Sequence, residues 1–266
     1  MFPVASALGA LFLGVVQGLT EFLPVSSSGH LTLFSQFIEL DGDNVLFNLF
    51  LHVGTLIPVL WFYRAEVGAL IRAPFAGEQQ PLLQREGMRQ WLLLVAASVP
   101  TAVIGLLLKD VFEALFDTPA ALTVTFALTA CILLSTRFAP EPRRGITLWI
   151  AVVLGIVQGL AITPGISRSG STIAMALLLG VNREEAARFS FLMSVPAISG
   201  ATLLMLKDAD LTAFDPVAVG VGFSAALISG YLALVLLVEL VKRGGLHWFS
   251  IWCFGAAIVS AAIAFS

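Results

Sequence analysis

The sequence predicts an all-α polytopic membrane protein with an inverted-topology repeat, each half contributing one re-entrant helical hairpin and three transmembrane helices, or six full spans and two hairpins in all. Three observations predict it. Hydrophobic residues make up 58% of the 266-residue chain and charged residues only 12%, with a mean hydropathy of +0.96, well beyond a soluble domain. Apolar runs of spanning length recur along the chain. One half of the sequence also repeats the other.

A helix needs about twenty mostly apolar residues to cross the hydrocarbon core. Six runs satisfy this: Val45 to Tyr63, Trp91 to Leu108, Pro119 to Thr136, Phe189 to Leu206, Pro216 to Val238 and Leu246 to Phe265. The stretches 4 to 40 and 146 to 181 do not. Each is an apolar run, a polar turn and then roughly ten more apolar residues, too few to cross. They are read as re-entrant hairpins, whose backbone must be satisfied by protein or by a wet cavity. No Lys or Arg precedes Glu21, so a cleavable secretory signal is not expected.

The basic residues sort by side. With the connection 64 to 89 placed in the cytoplasm, Arg64, Arg72, Arg85, Arg89, Arg137, Arg143, Arg144, Arg183, Arg188, Lys242 and Arg243 all fall there, eleven of the fourteen. The opposite side receives 39 to 44 (Glu39, Asp41, Asp43), 109 to 117 and 207 to 215, where acids dominate. Arg168 belongs to neither group. Cys131 and Cys253 lie within separate spans and read as buried apolar packing. Nucleic acid is not an expected partner, and the sequence leaves a homodimer open.

At an offset of 141 residues, "LGVVQGLTEFLPVSSSG" (13 to 29) falls on "LGIVQGLAITPGISRSG" (154 to 170) with nine identities and no gap. Repeat 1 covers about 1 to 140 and repeat 2 about 141 to 266, in one integral membrane domain. An odd number of crossings per half inverts the second half, and in such repeats the functional site lies where the broken elements meet, here the two hairpin tips. Shared positions, including Gln17/Gln158, Gly18/Gly159, Ser26/Ser167, Ser28/Ser169 and Gly29/Gly170, read as backbone architecture. Divergent positions carry the specialisation: Glu21 against Ile162, Ser27 against Arg168, His30 against Ser171. Ionisable groups at this depth cost roughly 2.5 to 3.5 kcal/mol each, so Glu21 and Arg168 are expected to be functional and mutually paired.

Gln17 and Glu21 lie on one helix face. After the break at Pro24, "SSSG" starts a helix whose serine-capped N–H groups form an anion site, and "PGISRSGST" (164 to 172) repeats the design with Arg168 at the tip. Two helix N-termini and a guanidinium suit a phosphate or diphosphate. Glu21, His30 and Ser27 add a base or metal ligand, a proton donor and a nucleophile, with Ser27 and His30 both open for the last role. A diphosphate beside a carboxylate calls for a hard cation, Mg²⁺ or Ca²⁺. The plainer reading of Glu21 and Arg168 is a structural ion pair, which leaves the hydroxyl turns and His30 unexplained. His52 reads as a packing histidine, Glu239 as an interfacial charge beside Lys242 and Arg243, and His247 with Trp248 and Trp252 as part of an aromatic belt. Thr123, Thr125 and Ser224 read as hydroxyls bonded to their own helix backbone.

The pattern Gln/Glu-x-x-x-Glu, a serine-rich turn and Gly-His, followed in the second half by Pro-Gly-x-Ser-Arg-Ser-x-x-Thr, resembles the bacterial undecaprenyl-diphosphatase family of the bacitracin-resistance type. The resemblance covers essentially the whole chain. It implies a phosphatase converting undecaprenyl diphosphate to the monophosphate and inorganic phosphate, recycling the lipid carrier of cell-wall synthesis. It also implies a Mg²⁺ or Ca²⁺ requirement and a place in the bacterial cytoplasmic membrane, with the site facing outward. It assigns Gln17, Glu21, Ser27 and His30 to the first motif and Pro164, Gly165, Ser167, Arg168, Ser169 and Thr172 to the second, with Arg168 as phosphate clamp. Ser26 and Ser28 join the substrate-binding set, and Glu21 and Gln17 are the metal-ligand candidates. Gln17 stands where the pattern admits Glu; an amide can offer an oxygen to a metal but cannot act as a base, which concentrates that duty on Glu21 and His30. "SSGH" is also similar to a motif of acid-phosphatase-like lipid phosphatases, whose second motif needs a histidine where this chain has Ala174. The alternative function is a transporter or flippase of the lipid carrier or of a phosphorylated solute, because inverted repeats are a transporter plan.

Overall fold

The computed structural model describes residues 3 to 38, 44 to 75, 86 to 116, 119 to 142, 144 to 208 and 215 to 265. These form twelve α-helices and, among the described residues, no strand: α1 (Pro3–Phe22), α2 (Ser27–Ser35), α3 (Asn44–Phe62), α4 (Arg64–Arg72), α5 (Glu86–Leu107), α6 (Lys109–Phe116), α7 (Pro119–Ser135), α8 (Leu148–Leu160), α9 (Arg168–Leu178), α10 (Arg183–Asp208), α11 (Pro216–Lys242) and α12 (Phe249–Ala264). Helices α3, α5, α7, α10, α11 and α12 carry six stretches long and apolar enough to cross a membrane, at the six places the hydrophobic runs indicate. The acids Glu39, Asp41 and Asp43 and the basic residues Arg85 and Arg143 lie outside the described residues.

Two helices begin before their apolar runs. α5 starts at Glu86 instead of Trp91, and α10 at Arg183 instead of Phe189. Their first turns carry Glu86 and the Glu184/Glu185 pair, acids that complement the positive end of the helix dipole, so charge extends the helix where hydropathy alone would end it. The stretch 109 to 117, expected only as an acidic connection, contains the amphipathic helix α6. α11 begins where Asp215 accepts a 2.8 Å bond from the Val217 N–H, with Pro216 at the first helical position.

Small residues set the packing. α1 lies on α11, where a Cβ on Gly14 would sit 2.3 Å from the Gly222 carbonyl and one on Gly18 would sit 2.0 Å from Ser229 Oγ. α8 lies on α5 in the same manner, with Gly155 against the Ala97 carbonyl and Gly159 against Ile104. In both pairs the contacts advance together along the two helices, so each pair runs parallel. The registers also correspond, because Gly222 and Ser229 are separated by the same seven residues as Ala97 and Ile104. Close backbone approach of this kind is how helices associate where no water drives them together.

Both hairpins reverse within a few residues. Phe22 ends α1 and Ser27 begins α2; Leu160 ends α8 and Arg168 begins α9. The ends of the second hairpin are tied at one level, since the Arg144 N–H donates to the Gly180 carbonyl and the Asn182 N–H to the Arg144 carbonyl, both at 3.1 Å. The Ile146 N–H donates to Glu185 Oε1 (3.0 Å) and Arg89 to the Ile146 carbonyl (2.6 Å), which anchors this entrance to α10 and α5. Cys253 is buried as expected, whereas Cys131 is exposed on the outer surface of α7. Glu239 pairs with Arg243 at 2.8 Å, in keeping with a boundary charge.

The glycine packing predicts a specific sensitivity. Gly18→Val and Gly155→Val each force backbone apart and should lower the thermal midpoint in detergent, by a destabilisation of about 1 to 3 kcal/mol. Gly200→Ala, with nothing within 4 Å of the added methyl, should leave the midpoint unchanged.

Candidate functional site

The hairpin tips touch. A Cβ on Gly29 would lie 2.9 Å from Gly165 Cα and 2.6 Å from Phe126 Cζ, and one on Gly170 would lie 3.0 Å from Pro24 Cβ. Ser169 Oγ donates to the Phe22 carbonyl across the junction at 3.1 Å. The second tip is fixed by α7: Thr129 Oγ1 donates to the Gly165 carbonyl (2.9 Å) and accepts from the Ser167 N–H (3.1 Å). Gly165 has φ +83°, and a side chain there would strike Thr125 Oγ1, so the turn requires glycine on both counts.

The expected serine caps are present. Ser26 Oγ accepts from the Gly29 N–H at 3.3 Å and Ser167 Oγ from the Gly170 N–H at 3.1 Å. Ser28 lies 3.4 Å from Ser26 Oγ, and Ser169 lies 3.5 Å from Ser167 Oγ. The two tips differ in strain. Ser26 holds φ 71°, the one non-glycine residue with positive φ among those described, whereas Ser167 is extended at φ −76°. A serine in this region costs of order 1 to 3 kcal/mol and persists only where its surroundings enforce it.

Glu21 is the centre of the cluster. Its Oε1 pairs with Arg168 Nη2 from the opposite tip, and its Oε2 accepts from Ser27 Oγ at 2.6 Å and from Gln17 Nε2 at 3.1 Å. The Glu21 side chain is 5% exposed and that of Arg168 19%. The structure therefore unites Gln17, Glu21, Ser27 and Arg168. Thr172 is also nearby in sequence but serves α9, donating to the Arg168 carbonyl (2.8 Å) and meeting Ser190 Oγ of α10 at 2.5 Å. His30 lies apart: its Nδ1 bonds the Ser26 carbonyl at 2.8 Å, its Nε2 accepts from Trp252 at 3.0 Å, and its ring is enclosed by Phe34, Phe126 and Trp252.

His52 bonds the Asn48 carbonyl of its own helix through Nδ1 at 2.8 Å. One residue gains a place that the sequence did not give it. Trp252 bonds His30 in addition to facing outward. No spacing in the chain links Trp252 to a residue 222 positions away. Thr125 and Ser224 donate to their own helix backbone as expected, and Thr123 Oγ1 is buried without a partner.

No group of three or more His, Cys, Asp or Glu side chains stands ready for a metal among the described residues. The donors at Glu21 are oxygens, and Gln17 Oε1 is buried beside them without a partner. That set fits a hard cation completed by oxygens from a ligand, and does not fit a softer metal that needs imidazole or thiolate.

Known proteins resemble this chain over nearly its whole length. Residues 10–259 match the family described as bacitracin resistance protein BacA. The undecaprenyl-diphosphatase of Carboxydothermus hydrogenoformans is 44% identical over 260 residues, covering 94% of this chain and 95% of that protein. That of Desulfatibacillum aliphaticivorans is 39% identical, covering 96% and 98%, and that of Methanobrevibacter smithii 40%, covering 94% and 95%. With residues 10–259 matched, both hairpin tips inside that region, and relatives 39 to 44% identical over nearly their whole length, the chain belongs to the BacA family.

Proposed function

We propose that this multi-pass membrane protein hydrolyses undecaprenyl diphosphate to undecaprenyl phosphate and inorganic phosphate, returning the lipid carrier to cell-wall synthesis. The observation that carries the reading is the Glu21 carboxylate, which holds an Arg from one hairpin and a Ser hydroxyl from the other. That is a charged clamp and a candidate nucleophile hydrogen-bonded to one base.

In the proposed reaction, Ser27 Oγ attacks the terminal phosphorus while Glu21 takes its proton; the bond from that phosphorus to the bridging oxygen breaks, and undecaprenyl phosphate leaves. Water then attacks the phosphoserine, releasing inorganic phosphate and restoring the Ser27 hydroxyl. Arg168 grips equatorial oxygens, and the capped N-termini of α2 and α9, bearing Ser26, Ser28, Ser167 and Ser169, stabilise the charge that develops. Gln17 Oε1 and the Glu21 carboxylate would hold Mg²⁺ or Ca²⁺, which when bound supplies neutralisation of the diphosphate. His30, with both ring nitrogens engaged, takes no direct part in the attack.

We further infer that both hairpins are re-entrant and the halves inverted. The 9 and 11 residues of α2 and α9 are too short to span, and the two ends of the second hairpin are tied together. The parallel pairs α1 with α11 and α8 with α5 exchange under the two-fold that relates the halves. The distribution of basic residues supports the reading that the first hairpin, and access to the site, face the exterior of the cytoplasmic membrane.

Detergent-purified protein is expected to release inorganic phosphate from undecaprenyl diphosphate and to stop when a chelator is added. Glu21→Gln, Ser27→Ala and Arg168→Ala should each lower turnover about a hundredfold or more. Acid quenching during turnover should trap phosphate on Ser27; phosphate on His30 would remove Ser27 from its role. Absence of phosphate release without a membrane gradient would instead support the transporter reading that the repeat architecture allows. For sidedness, Gly42→Cys in a chain whose Cys131 and Cys253 are replaced by Ala should react with an impermeant thiol reagent from outside the cell, and reaction only from the cytoplasm would overturn the topology.

A further inference from the structure

Ser26, among the described residues the one non-glycine residue held at positive φ, immediately precedes the proposed nucleophile. Its carbonyl accepts twice from His30, from the backbone N–H at 3.2 Å and from Nδ1 at 2.8 Å. A carbonyl can only accept, so Nδ1 carries the proton. The indole N–H of Trp252 can only donate, so Nε2, which it meets at 3.0 Å, is bare. The imidazole is thereby fixed in one tautomer, with its two nitrogens strung between the tryptophan of α12 and the strained turn. The residues enclosing the ring, Phe34 of α2, Phe126 of α7 and Trp252 of α12, present no titratable group to it.

We propose that Trp252 is a positioning residue of the reaction: through His30 it holds the Ser26 carbonyl, and so the turn that delivers Ser27 Oγ to Glu21. Each link has a named atom. Trp252 Nε1 orients His30, His30 Nδ1 secures Ser26, and Ser27, the next residue, reaches Glu21 Oε2 at 2.6 Å. The direction of the chain explains why a tryptophan 60% exposed on the outer surface of α12 turns its N–H inward toward a histidine that is 4% exposed. This assignment rests on the reading of Ser27 as nucleophile.

Two variants test it. Trp252→Phe keeps a ring beside His30 and removes only the donor. It should lower kcat about three- to tenfold, the worth of one neutral hydrogen bond, with KM changed less than twofold. ¹⁵N NMR of the imidazole should show a single Nδ1–H tautomer in the parent and, as the ring freed from Trp252 swings off the Ser26 carbonyl, a mixture in the variant. His30→Asn supplies an N–H in place of Nδ1 and nothing in place of Nε2. It should keep at least tenfold more activity than His30→Ala, and adding Trp252→Phe to it should cost nothing further. An unchanged tautomer in Trp252→Phe, or an equal loss from that substitution in the parent and in His30→Asn, would overturn the proposal. His30→Asn as inactive as His30→Ala would do the same, by giving Nε2 a role in the chemistry. If Ser27→Ala stays active, the nucleophile reading fails instead, and the tautomer measurement still reports whether Trp252 orients His30.

Discussion

A buried carboxylate and a partly buried guanidinium, paired between two hairpin tips, set the conditions for everything around them. Either charge alone, at 5% or 19% exposure, would carry a desolvation cost that little else nearby could offset. Because Glu21 comes from the first hairpin and Arg168 from the second, the pair forms only when the tips meet. The tips close on one another where side chains are absent, at Gly29 and Gly165, and Gly14, Gly18, Gly155 and Gly159 let the descending helices sink onto α11 and α5. The small residues of the fold are thus a requirement of its charges.

The same constraint explains why two tips of similar sequence carry unlike charges. Matching halves would set two acids or two cations against each other, which the low dielectric would penalise. The divergent positions instead give Glu21 to one tip and Arg168 to the other, while the serine caps stay common to both because every helix start has N–H groups to satisfy. Strain follows the same division. The second tip makes its left-handed turn at Gly165, without cost, and is bolted to Thr129; the first makes it at Ser26, next to Ser27, and is held through His30.

How much of this was legible in the sequence depended on the range of the interaction. The spans, the capped turns, the Gln17–Glu21 face and the need for Glu21 and Arg168 to pair follow from local composition, period-3.6 spacing or the cost of buried charge, and all appear in the structure. The early starts of α5 and α10 were missed because hydropathy is blind to an acidic first turn. His30 looked like chemistry because an imidazole beside a serine and a carboxylate usually is. What decided its place was the Ser26 carbonyl one turn back and an indole on the last helix, and neither leaves a signature in spacing. Trp252 reads as a belt residue because it stands beside His247 and Trp248 at the start of the last span and is 60% exposed.

The resting cluster also bears on how the proposed reaction begins. Glu21 is a weak base while its Oε1 is tied to Arg168 and its Oε2 to Ser27 and Gln17, since every donor stabilises the charge that a base must give up. A diphosphate competes for Arg168 with more charge than a carboxylate carries, and bidentately. As the guanidinium turns from Glu21 to the phosphoryl oxygens, the carboxylate loses its strongest partner and becomes more basic while its bond to the Ser27 hydroxyl remains. In the proposed reaction the substrate's own anion would thereby activate Glu21 toward the Ser27 proton. That coupling needs Arg168 and Ser27 on the two oxygens of one carboxylate, which is the arrangement the paired tips provide.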